Sequence, residues 1–293
     1  MGIVAGATPT RAPGITRFDA VIADVVVETP DTITAFLDLG QPVTYRAGQY
    51  VSIDPHQFPS LGSMTRYLEQ LKGRHEPPRA YSMSSAPHEP YVAITIKEEV
   101  YDGVMAYPPL ISGFLVHQLR TGDRIVVTGF AGAYVLPDNV KTDHILHLCA
   151  GSGSVPNVSI IKDSLVRHPN LRHTFVYSNK TLQDVIFRAA LAQLQAEHRD
   201  RLKVIHSITR EACVATPNED LRSGRVTLEL LREIFEREPN TVVYTCGPAV
   251  SVWERRAHAA KGTTPTPRFL ETMQAYLSEL GIPRERVKME AFG

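Results

Sequence analysis

Residues 144–156, HILHLCAGSGSVP, decide the fold class of the C-terminal half. The apolar run His144–Cys149 is typical of a buried strand, glycines follow at 151 and 153, and Val158–Val166 has helical spacing. A strand that turns through glycines into a helix offers backbone N–H groups and a positive helix end to a phosphate. The full G-x-G-x-x-G fingerprint is absent, because Pro156 stands at its last glycine, so a plain strand–helix turn is an alternative.

The alternation of strand and helix continues to the C-terminus. Further strands are predicted at 174–177, 202–208, 241–246 and 287–292, and helices at 184–198, 227–237 and 269–280. This spacing predicts a parallel sheet covered by helices, in an α/β domain that spans 141–293.

The N-terminal half shows short strands separated by glycine and proline. The predicted strands are 18–29, 32–39, 50–53, 80–84, 91–98 and 125–128. This pattern is typical of a small antiparallel β-barrel, which we place at 17–140, with the domain boundary in the polar stretch 138–143. Residues 54–78 form a polar insertion with a short helix predicted at 63–72, and residues 1–16 are predicted to be a disordered tail.

Composition excludes several classes of protein. Lys+Arg and Asp+Glu both number 31 in 293 residues, so no net charge attracts nucleic acid or an anionic membrane. The N-terminus lacks the apolar core of a signal peptide, and no apolar run is long enough to span a bilayer. The three cysteines, at 149, 213 and 246, are too few and too scattered for a disulfide scaffold or an iron–sulfur cluster. We therefore expect a cytoplasmic protein that binds neither nucleic acid nor membranes.

No metal site is predicted from the 11 histidines. His144 and His147 tempt such an interpretation, but they lie three residues apart on a predicted strand and so point to opposite faces. The zinc-binding pattern H-E-x-x-H does not occur.

Arg79-Ala80-Tyr81-Ser82 is the candidate binding motif of the N-terminal half. An arginine offers a charged fork to a pyrophosphate, and Tyr81 shares its strand face, where the ring can stack on a flat cofactor. Ser82 lies on the opposite face and can hydrogen-bond a ring nitrogen. The alternative is an edge strand with a surface arginine and a half-buried tyrosine.

Two further motifs lie in the C-terminal half. Tyr244-Thr245-Cys246-Gly247-Pro248 follows a predicted strand, and ligands of open α/β sheets bind at the carboxyl ends of strands. The alternative for Cys246 is a buried structural cysteine. The chain closes on Glu290-Ala291-Phe292-Gly293, where the alternative is simple core packing of the aromatic ring.

Together and in this order, these four motifs resemble the ferredoxin–NADP reductase superfamily. The resemblance runs from about Phe18 to Phe292, and the segment 45–50, YRAGQY, is similar to the family's P-G-Q-[YF]. It implies two domains, an N-terminal antiparallel β-barrel that binds a flavin and a C-terminal parallel-sheet α/β domain that binds the nicotinamide nucleotide. The chain resembles an oxygenase-type reductase without a fused ferredoxin domain, because the cysteines for a cluster are missing.

The resemblance also implies residue roles on the flavin side. Arg79 would hold the flavin phosphate, Tyr81 would pack on the isoalloxazine ring, and Ser82 would lie near the nitrogen that accepts the hydride. The full set of implied flavin-binding positions is Arg79, Ala80, Tyr81, Ser82, Thr95, Ile96, Lys97, Leu110, Ile111 and Ser112. Ser112 matches the family's G-x-x-S loop, but Pro109 stands where that loop has its glycine.

The implied nucleotide-binding residues lie in the α/β half. They are Gly151, Ser152, Gly153, Ser154 and Pro156 at the pyrophosphate, Asn179 and Lys180 at the ribose, and Cys246, Gly247 and Pro248 at the nicotinamide. Ser82, Cys246, Glu290 and Phe292 are the implied catalytic residues, with Phe292 covering the outer flavin face until nicotinamide displaces it. Lys180 and Arg210 favour a 2′-phosphate, but they are equally well explained as solvated charges, so NADH and NADPH both stay open.

The resemblance implies the transfer of a hydride from NAD(P)H to FAD, with FMN as the less favoured flavin, and of single electrons to a separate ferredoxin or oxygenase component. A free-standing reductase of flavins or small molecules is one alternative. A regulator that binds flavin or nucleotide without catalysis is the other.

Overall fold

The computed structural model describes residues 16–101, 103, 105–214 and 216–292. The predicted tail lies outside the described residues except for Thr16, which already belongs to the first strand. The last residue, Gly293, also lies outside them. Among the described residues, no helix is both long and apolar enough to cross a membrane.

The N-terminal domain is a six-stranded antiparallel sheet that curls into an open barrel. Its strands are β1 (Thr16–Thr29), β2 (Thr32–Asp38), β3 (Tyr50–Ile53), β4 (Arg79–Ser82), β5 (Val92–Lys97) and β6 (Arg124–Ala131). Their order is β4-β3-β6-β1-β2-β5, so β4 and β5 are the two edges. The edges meet at one bridge, between Met83 and Ile94, and no further ladder joins them in the described chain. The predicted barrel is therefore confirmed in an open form, with a seam between β4 and β5.

Two helices accompany this barrel. Helix α1 (Gly62–Lys72) lies in the 54–78 segment, one residue longer than predicted, and ends at Gly73 in the left-handed conformation (φ 65°). Helix α2 (Ser112–Gln118) packs Leu115 and Val116 onto the barrel core.

The C-terminal domain is a six-stranded parallel sheet with helices. Its strands are β7 (His144–Ala150), β8 (Arg172–Asn179), β9 (Leu202–Ile208), β10 (Asp220–Ser223), β11 (Val242–Pro248) and β12 (Val287–Phe292). The helices are α3 (Ser154–Arg167), α4 (Arg188–Glu197), α5 (Leu228–Arg237), α6 (Val252–Ala260) and α7 (Phe269–Glu279). The strand order β10-β9-β8-β7-β11-β12 reverses direction between β7 and β11. This topological switch point is where open α/β sheets bind ligands, at the carboxyl ends of the strands.

Several elements differ from the sequence prediction. The helix predicted over 184–198 was wrong in its first turn: Leu182–Asp184 is a 3-10 turn, and α4 begins only at Arg188. The chain between them turns its apolar side chains into the core, and Phe187 takes a positive φ of 61° that a helix does not allow. Sequence patterns also missed β10 and α6, which are short and polar.

The two domains contact each other through the middle of α3. Ser159 Oγ donates to the backbone oxygen of Ser85 at 2.6 Å, and Lys162 Nζ lies 3.1 Å from the Glu89 carboxylate. Gly48 approaches the neighbouring backbone so closely that a Cβ there would lie 2.0 Å from the Tyr134 oxygen. Strand β6 ends at Ala131 and β7 begins at His144, so the proposed boundary at 140 falls in the connecting segment.

Buried histidines fill the sheet beneath α3. His147 Nδ1 lies 2.8 Å from Asn157 Oδ1, its Nε2 lies 3.1 Å from His173 Nδ1, and His173 Nε2 lies 2.8 Å from Ser164 Oγ. His144 turns away from this chain and lies 2.7 Å from Thr241 Oγ1. Burial lowers the pKa of both His144 and His147 to about 4 and the pKa of His173 well below its usual value. These rings are therefore neutral structural groups at neutral pH.

Candidate functional site

The glycine turn after β7 lies at the switch point of the parallel sheet. A 3-10 turn, Gly151–Gly153, connects β7 to α3, so the first turn of a 14-residue helix faces the carboxyl edge. Gly151 has a φ of +55°, and no heavy atom lies within 4 Å of a Cβ built on it. The turn thus presents open space at the positive N-terminal end of α3, which is an environment that favours a phosphate.

Gly153 is required for a close approach between this turn and β11. A Cβ on Gly153 would lie 2.1 Å from the Cys246 oxygen and 2.8 Å from the Gly247 nitrogen, so only glycine fits. Tyr177 donates its hydroxyl to the Gly151 oxygen at 2.9 Å, and Asn157 Nδ2 donates to the Gly153 oxygen at 3.0 Å. The turn is therefore held rigidly from both sides.

The remaining predicted residues of this turn lie in the first turn of α3. Ser154 and Pro156 are buried and Ser152 is half-buried. Proline is tolerated here because the first N–H groups of a helix have no intrahelical partner. The missing last glycine of the fingerprint is thus compatible with the helix.

Cys246 lies in a row of three side chains across the carboxyl ends of the neighbouring strands β7, β11 and β12. It pairs with Cys149 of β7 on one side and with Glu290 of β12 on the other. Burial, with Cys149 and Glu290 nearby, raises the pKa of the Cys246 thiol well above its usual value. Burial also raises the pKa of Glu290. Cys246 is therefore a neutral thiol at neutral pH, suited to contact a ring rather than to attack it.

The C-terminal strand brings Phe292 to the same place. Phe292 pairs with Pro248 in the β11–β12 ladder and packs, half-buried, against the cluster of Cys246, Tyr134 and Tyr244. Gly247 lies so close to α7 that a Cβ there would meet the Phe269 ring at 2.8 Å. The structure thus brings together the predicted residues of the Cys-Gly-Pro and C-terminal motifs.

In the N-terminal domain, β4 carries the predicted Arg79–Ser82 motif along one edge of the barrel seam. Its pairing with β3 places Arg79 and Tyr81 on one face and Ala80 and Ser82 on the other. Tyr81 packs partly against the barrel core, Ala80 is exposed and Ser82 is buried. Burial raises the pKa of Tyr81, so its hydroxyl keeps its proton.

Arg79 has a partner that the sequence did not predict. Its Nη2 lies 2.6 Å from a carboxylate oxygen of Glu76, and Lys72 Nζ lies 2.6 Å from the other oxygen. Burial alone would raise the pKa of Glu76, but the hydrogen bonds from Lys72 and Arg79 outweigh it and lower the pKa. A phosphate bound to Arg79 would therefore share the guanidinium with Glu76, which no local pattern indicates.

The other predicted flavin positions lie on β5 and just before α2. Thr95 shares a hydrogen bond of 2.8 Å with Thr34, Ile96 lies in the barrel core, and Lys97 Nζ lies 2.6 Å from Asp31. These three side chains already make contacts within the barrel. A ligand in the seam would therefore meet the backbone of β5 rather than these side chains. Leu110 and Ile111 are buried, and Ser112 Oγ accepts a hydrogen bond of 3.1 Å from the backbone of Glu99.

The predicted ribose positions lie at the end of β8. Asn179 is buried and Lys180 is exposed, and the Lys180 oxygen accepts a hydrogen bond of 2.8 Å from Arg210. Asp184, the nearest acid downstream, is engaged in a capping box with Thr181, whose N–H and hydroxyl it accepts at 2.9 and 2.8 Å. Two cationic residues, Lys180 and Arg210, thus lie side by side, whereas the Asp184 carboxylate is already hydrogen-bonded to Thr181.

An aromatic contact across the two domains was also missed by sequence reasoning. The Tyr107 ring, in the loop before α2, meets the Trp253 ring of α6 edge-on at 6.4 Å. Lys72 Nζ lies 4.7 Å from the centre of the Tyr107 ring. Trp253 follows Cys246-Gly247-Pro248 by only five residues, so this contact lies near the end of β11.

Residues 148–252 match the family described as "Oxidoreductase NAD-binding domain". Flavohemoprotein A of Dictyostelium discoideum is 27% identical over 93% of this chain and 59% of its own. The ferredoxin reductase component of a 3-ketosteroid-9-alpha-monooxygenase from Mycobacterium tuberculosis is 28% identical over 73% of this chain and 49% of its own. The first four curated relatives are matched over only 52% to 63% of their length.

Solved structures show the same two-domain fold. The FAD/NAD-binding domain of nitric oxide dioxygenase from Vibrio cholerae superposes with a TM-score of 0.69 at 21% identity, covering 94% of this chain and 98% of that one. The ferredoxin reductase of a carbazole 1,9a-dioxygenase gives a TM-score of 0.68 at 19% identity, covering 96% and 70%. The predicted two-domain architecture is confirmed.

Proposed function

We propose that the chain is a reductase of the ferredoxin–NADP reductase type, which oxidises NAD(P)H through a bound FAD and passes electrons singly to a separate acceptor protein. The observation that carries this proposal is the convergence at the switch point, where the glycine turn after β7 packs against Cys246 and the C-terminal Phe292 lies beside them. The family match supports the class of oxidoreductase, and the proposal adds the acceptor and the residue roles.

The described residues fit a nicotinamide nucleotide. The open space at Gly151 and the first turn of α3 would receive its pyrophosphate. Lys180 and Arg210 would approach the ribose. The nicotinamide ring would lie against Cys246 and Gly247, where Gly153 keeps the backbone close and a neutral thiol adds no charge.

The barrel seam fits a flavin. Strands β4 and β5 separate beyond the Met83–Ile94 bridge, so backbone groups of both edges face the gap. Arg79 stands at one end of this gap for a phosphate, and the Tyr81 and Ser82 pair stands at the other. A flavin held there would supply the redox chemistry, because it can take up a hydride from a nicotinamide ring and release electrons one at a time.

The protein itself would position the two rings and shield them from water. Contacts of α3 with Ser85 and Glu89 hold the C-terminal domain against the segment that follows β4, and these contacts would fix the distance between the two proposed ring sites. Phe292 would cover the flavin edge and exclude water until the nicotinamide arrives, and the Ser82 hydroxyl would hydrogen-bond the reacting edge of the ring.

A separate acceptor protein is favoured by the relatives. Two of them are named as parts of larger enzymes: the ferredoxin reductase component of the ketosteroid monooxygenase, and one chain of the Escherichia coli 1,2-phenylacetyl-CoA epoxidase, which is 26% identical over 92% of the present chain. The competing function is a free-standing reductase of flavins or small molecules, and an experiment on the acceptor separates the two.

The test begins with flavin uptake and reduction. The purified protein should be yellow or take up one FAD, and anaerobic mixing with NADH or NADPH should bleach it in a stopped-flow instrument. A protein that takes up neither FAD nor FMN would refute the assignment of the barrel.

The acceptor is tested on the reduced protein. Fast reoxidation by the one-electron acceptor ferricyanide, with slow reoxidation by added free riboflavin, supports transfer to a redox protein. Reoxidation by riboflavin at the faster rate would instead favour the free-standing reductase.

A further inference from the structure

The 54–78 segment gathers two histidines and a glutamate outside the proposed redox site. Glu69 Oε1 lies 2.9 Å from His56 Nε2 and 2.7 Å from His75 Nδ1. The three ligand atoms all lie within 4.8 Å of one another, and in the described part of the chain no other such group is close enough to hold a metal ion. Two imidazoles and one carboxylate are a common ligand set for zinc.

The three side chains come from separate local elements. His56 lies in the 3-10 turn Pro55–Gln57, Glu69 lies on the last turns of α1, and His75 follows Gly73. The left-handed Gly73 reverses the chain directly after the helix, which returns His75 towards Glu69. The cluster thus forms because the 54–78 segment folds back on itself, and its members are not neighbours on one helix face.

A further carboxylate orients His56. Asp54 Oδ1 lies 2.6 Å from His56 Nδ1, on the ring nitrogen opposite the one that faces Glu69. A carboxylate on the far nitrogen of a ligating histidine fixes its tautomer and directs the lone pair of the other nitrogen towards the metal. The Asp54–His56 pair, together with the clustering of the three ligand atoms, points to a metal site rather than to a surface cluster of charges.

The geometry requires only a small adjustment. Ligand atoms of a tetrahedral zinc lie about 3.3 Å apart, given zinc–ligand distances of about 2.0–2.1 Å. The two rings are stacked at 4.1 Å, so one ring has to turn before both lone pairs meet a single ion. His75 has room to turn because its side chain is 72% exposed, and this exposure leaves a fourth position open to water.

We propose that His56, Glu69 and His75 bind one Zn²⁺ ion, with Asp54 as the carboxylate that orients His56 and water in the fourth position. The ion fastens the 54–78 segment next to the flavin-phosphate arginine. Glu69 Oε1 also accepts a hydrogen bond of 3.0 Å from the backbone of Glu76, the residue whose carboxylate holds Arg79. Zinc binding itself does not depend on the proposed redox activity.

The direct test measures zinc on the whole protein. After removal of metal with a chelator and dialysis against micromolar ZnCl₂, elemental analysis should give one zinc per chain, and anomalous diffraction at the zinc edge should place it between these three side chains. Glu69→Gln and His75→Ala should each lower the affinity at least 100-fold. Asp54→Asn should lower it by roughly 10–100-fold.

His117→Ala is the matched control. His117 is also exposed and also lies 2.8 Å from a glutamate, Glu98, but it belongs to no group of three ligands. Its replacement should leave the zinc content unchanged. Absence of zinc at this position, or equal zinc loss in His117→Ala and His75→Ala, would overturn the proposal. The three side chains would then form only a hydrogen-bonded cluster without a metal ion. The His75 variant keeps this test decisive, because removing an exposed side chain leaves the core intact.

Discussion

The replacement of Gly153 by alanine tests the geometry of the candidate site most directly. A Cβ at this position would lie 2.1 Å from the oxygen and 2.4 Å from the carbon of the Cys246 carbonyl group. Both neighbours are backbone atoms, so no side chain can rotate away to relieve the contact. The glycine turn or the end of β11 has to move.

The size of the effect follows from this overlap. Ordinary van der Waals contact is about 3.5–4.0 Å, so the turn and the strand have to separate by more than about 1 Å. Overpacking of this kind costs typically about 1–3 kcal/mol, and the rigid backbone on both sides places Gly153→Ala near the upper end. Because the same shift opens the proposed nicotinamide site, nucleotide affinity should fall at least tenfold, which is about 1.4 kcal/mol.

Urea unfolding and nucleotide titration measure the two quantities. Trp253 is the single tryptophan of the chain and lies in the nucleotide domain, so its fluorescence reports the unfolding of that domain. Gly281→Ala is the control: it has a φ of +70° and open space around it, so it should cost about 1–2 kcal/mol of stability without changing nucleotide affinity. Unchanged affinity in Gly153→Ala would refute the proposed position of the nucleotide.

Three further changes probe other parts of the structure. Arg79→Ala should weaken FAD binding at least about tenfold, by loss of a charged hydrogen bond, with NAD(P)H affinity unchanged; a flavin titration showing the reverse ranking contradicts the assignment. Burial raises the pKa of Glu290, so we assign to it any pH dependence of the stopped-flow rate of flavin reduction above pH 4.5. Glu290→Gln should remove this pH dependence. If it persists in the variant, it belongs to another group. Folding lowers the pKa values of three histidines, His144, His147 and His173, so below pH 6.5 the unfolded chain binds more protons than the folded chain. The free energy of unfolding should therefore fall as the pH drops from 6.5 towards 4, by up to about 1.4 kcal/mol per pH unit for each ring. Urea midpoints across that range should fall less steeply in His147→Gln, and an equal slope would show that His147 is not a buried neutral base.

Some strands were predicted with their full bounds. Leu202–Ile208, which is buried except at Lys203, and Val287–Phe292, an edge strand of half-buried and exposed residues, have the same bounds in the structure as in the sequence pattern. Helix α4 was predicted too long because Val185–Phe187 continues the apolar spacing of a helix while its backbone departs from one. Periodicity reports which side chains are buried, and it cannot tell a helical turn from a short loop that buries the same side chains.

The candidate site was predictable where a short motif carries the geometry. Gly151 and Gly153 follow a strand and precede a helix, so their position at the carboxyl edge was expected. The contact of Gly153 with Cys246 joins residues far apart in the chain and could not be inferred from either motif. The buried Glu76 beside Arg79 depends on how the 54–78 segment folds back, and polar loops carry no periodicity from which to predict this.

One helix connects the parts of the proposed mechanism. The first turn of α3 faces the space proposed for the nucleotide phosphates, and five residues later Ser159 hydrogen-bonds the backbone of Ser85, three residues beyond Ser82. We therefore expect a shift of the segment after β4 to reach the helix through this bond, and the helix in turn is held by Asn157, which hydrogen-bonds both the glycine turn and the buried His147. In the proposed mechanism, the relative position of the two ring sites would depend on this short path of backbone and buried hydrogen bonds, and the path would matter because the rate of hydride transfer falls steeply with misplacement of the rings.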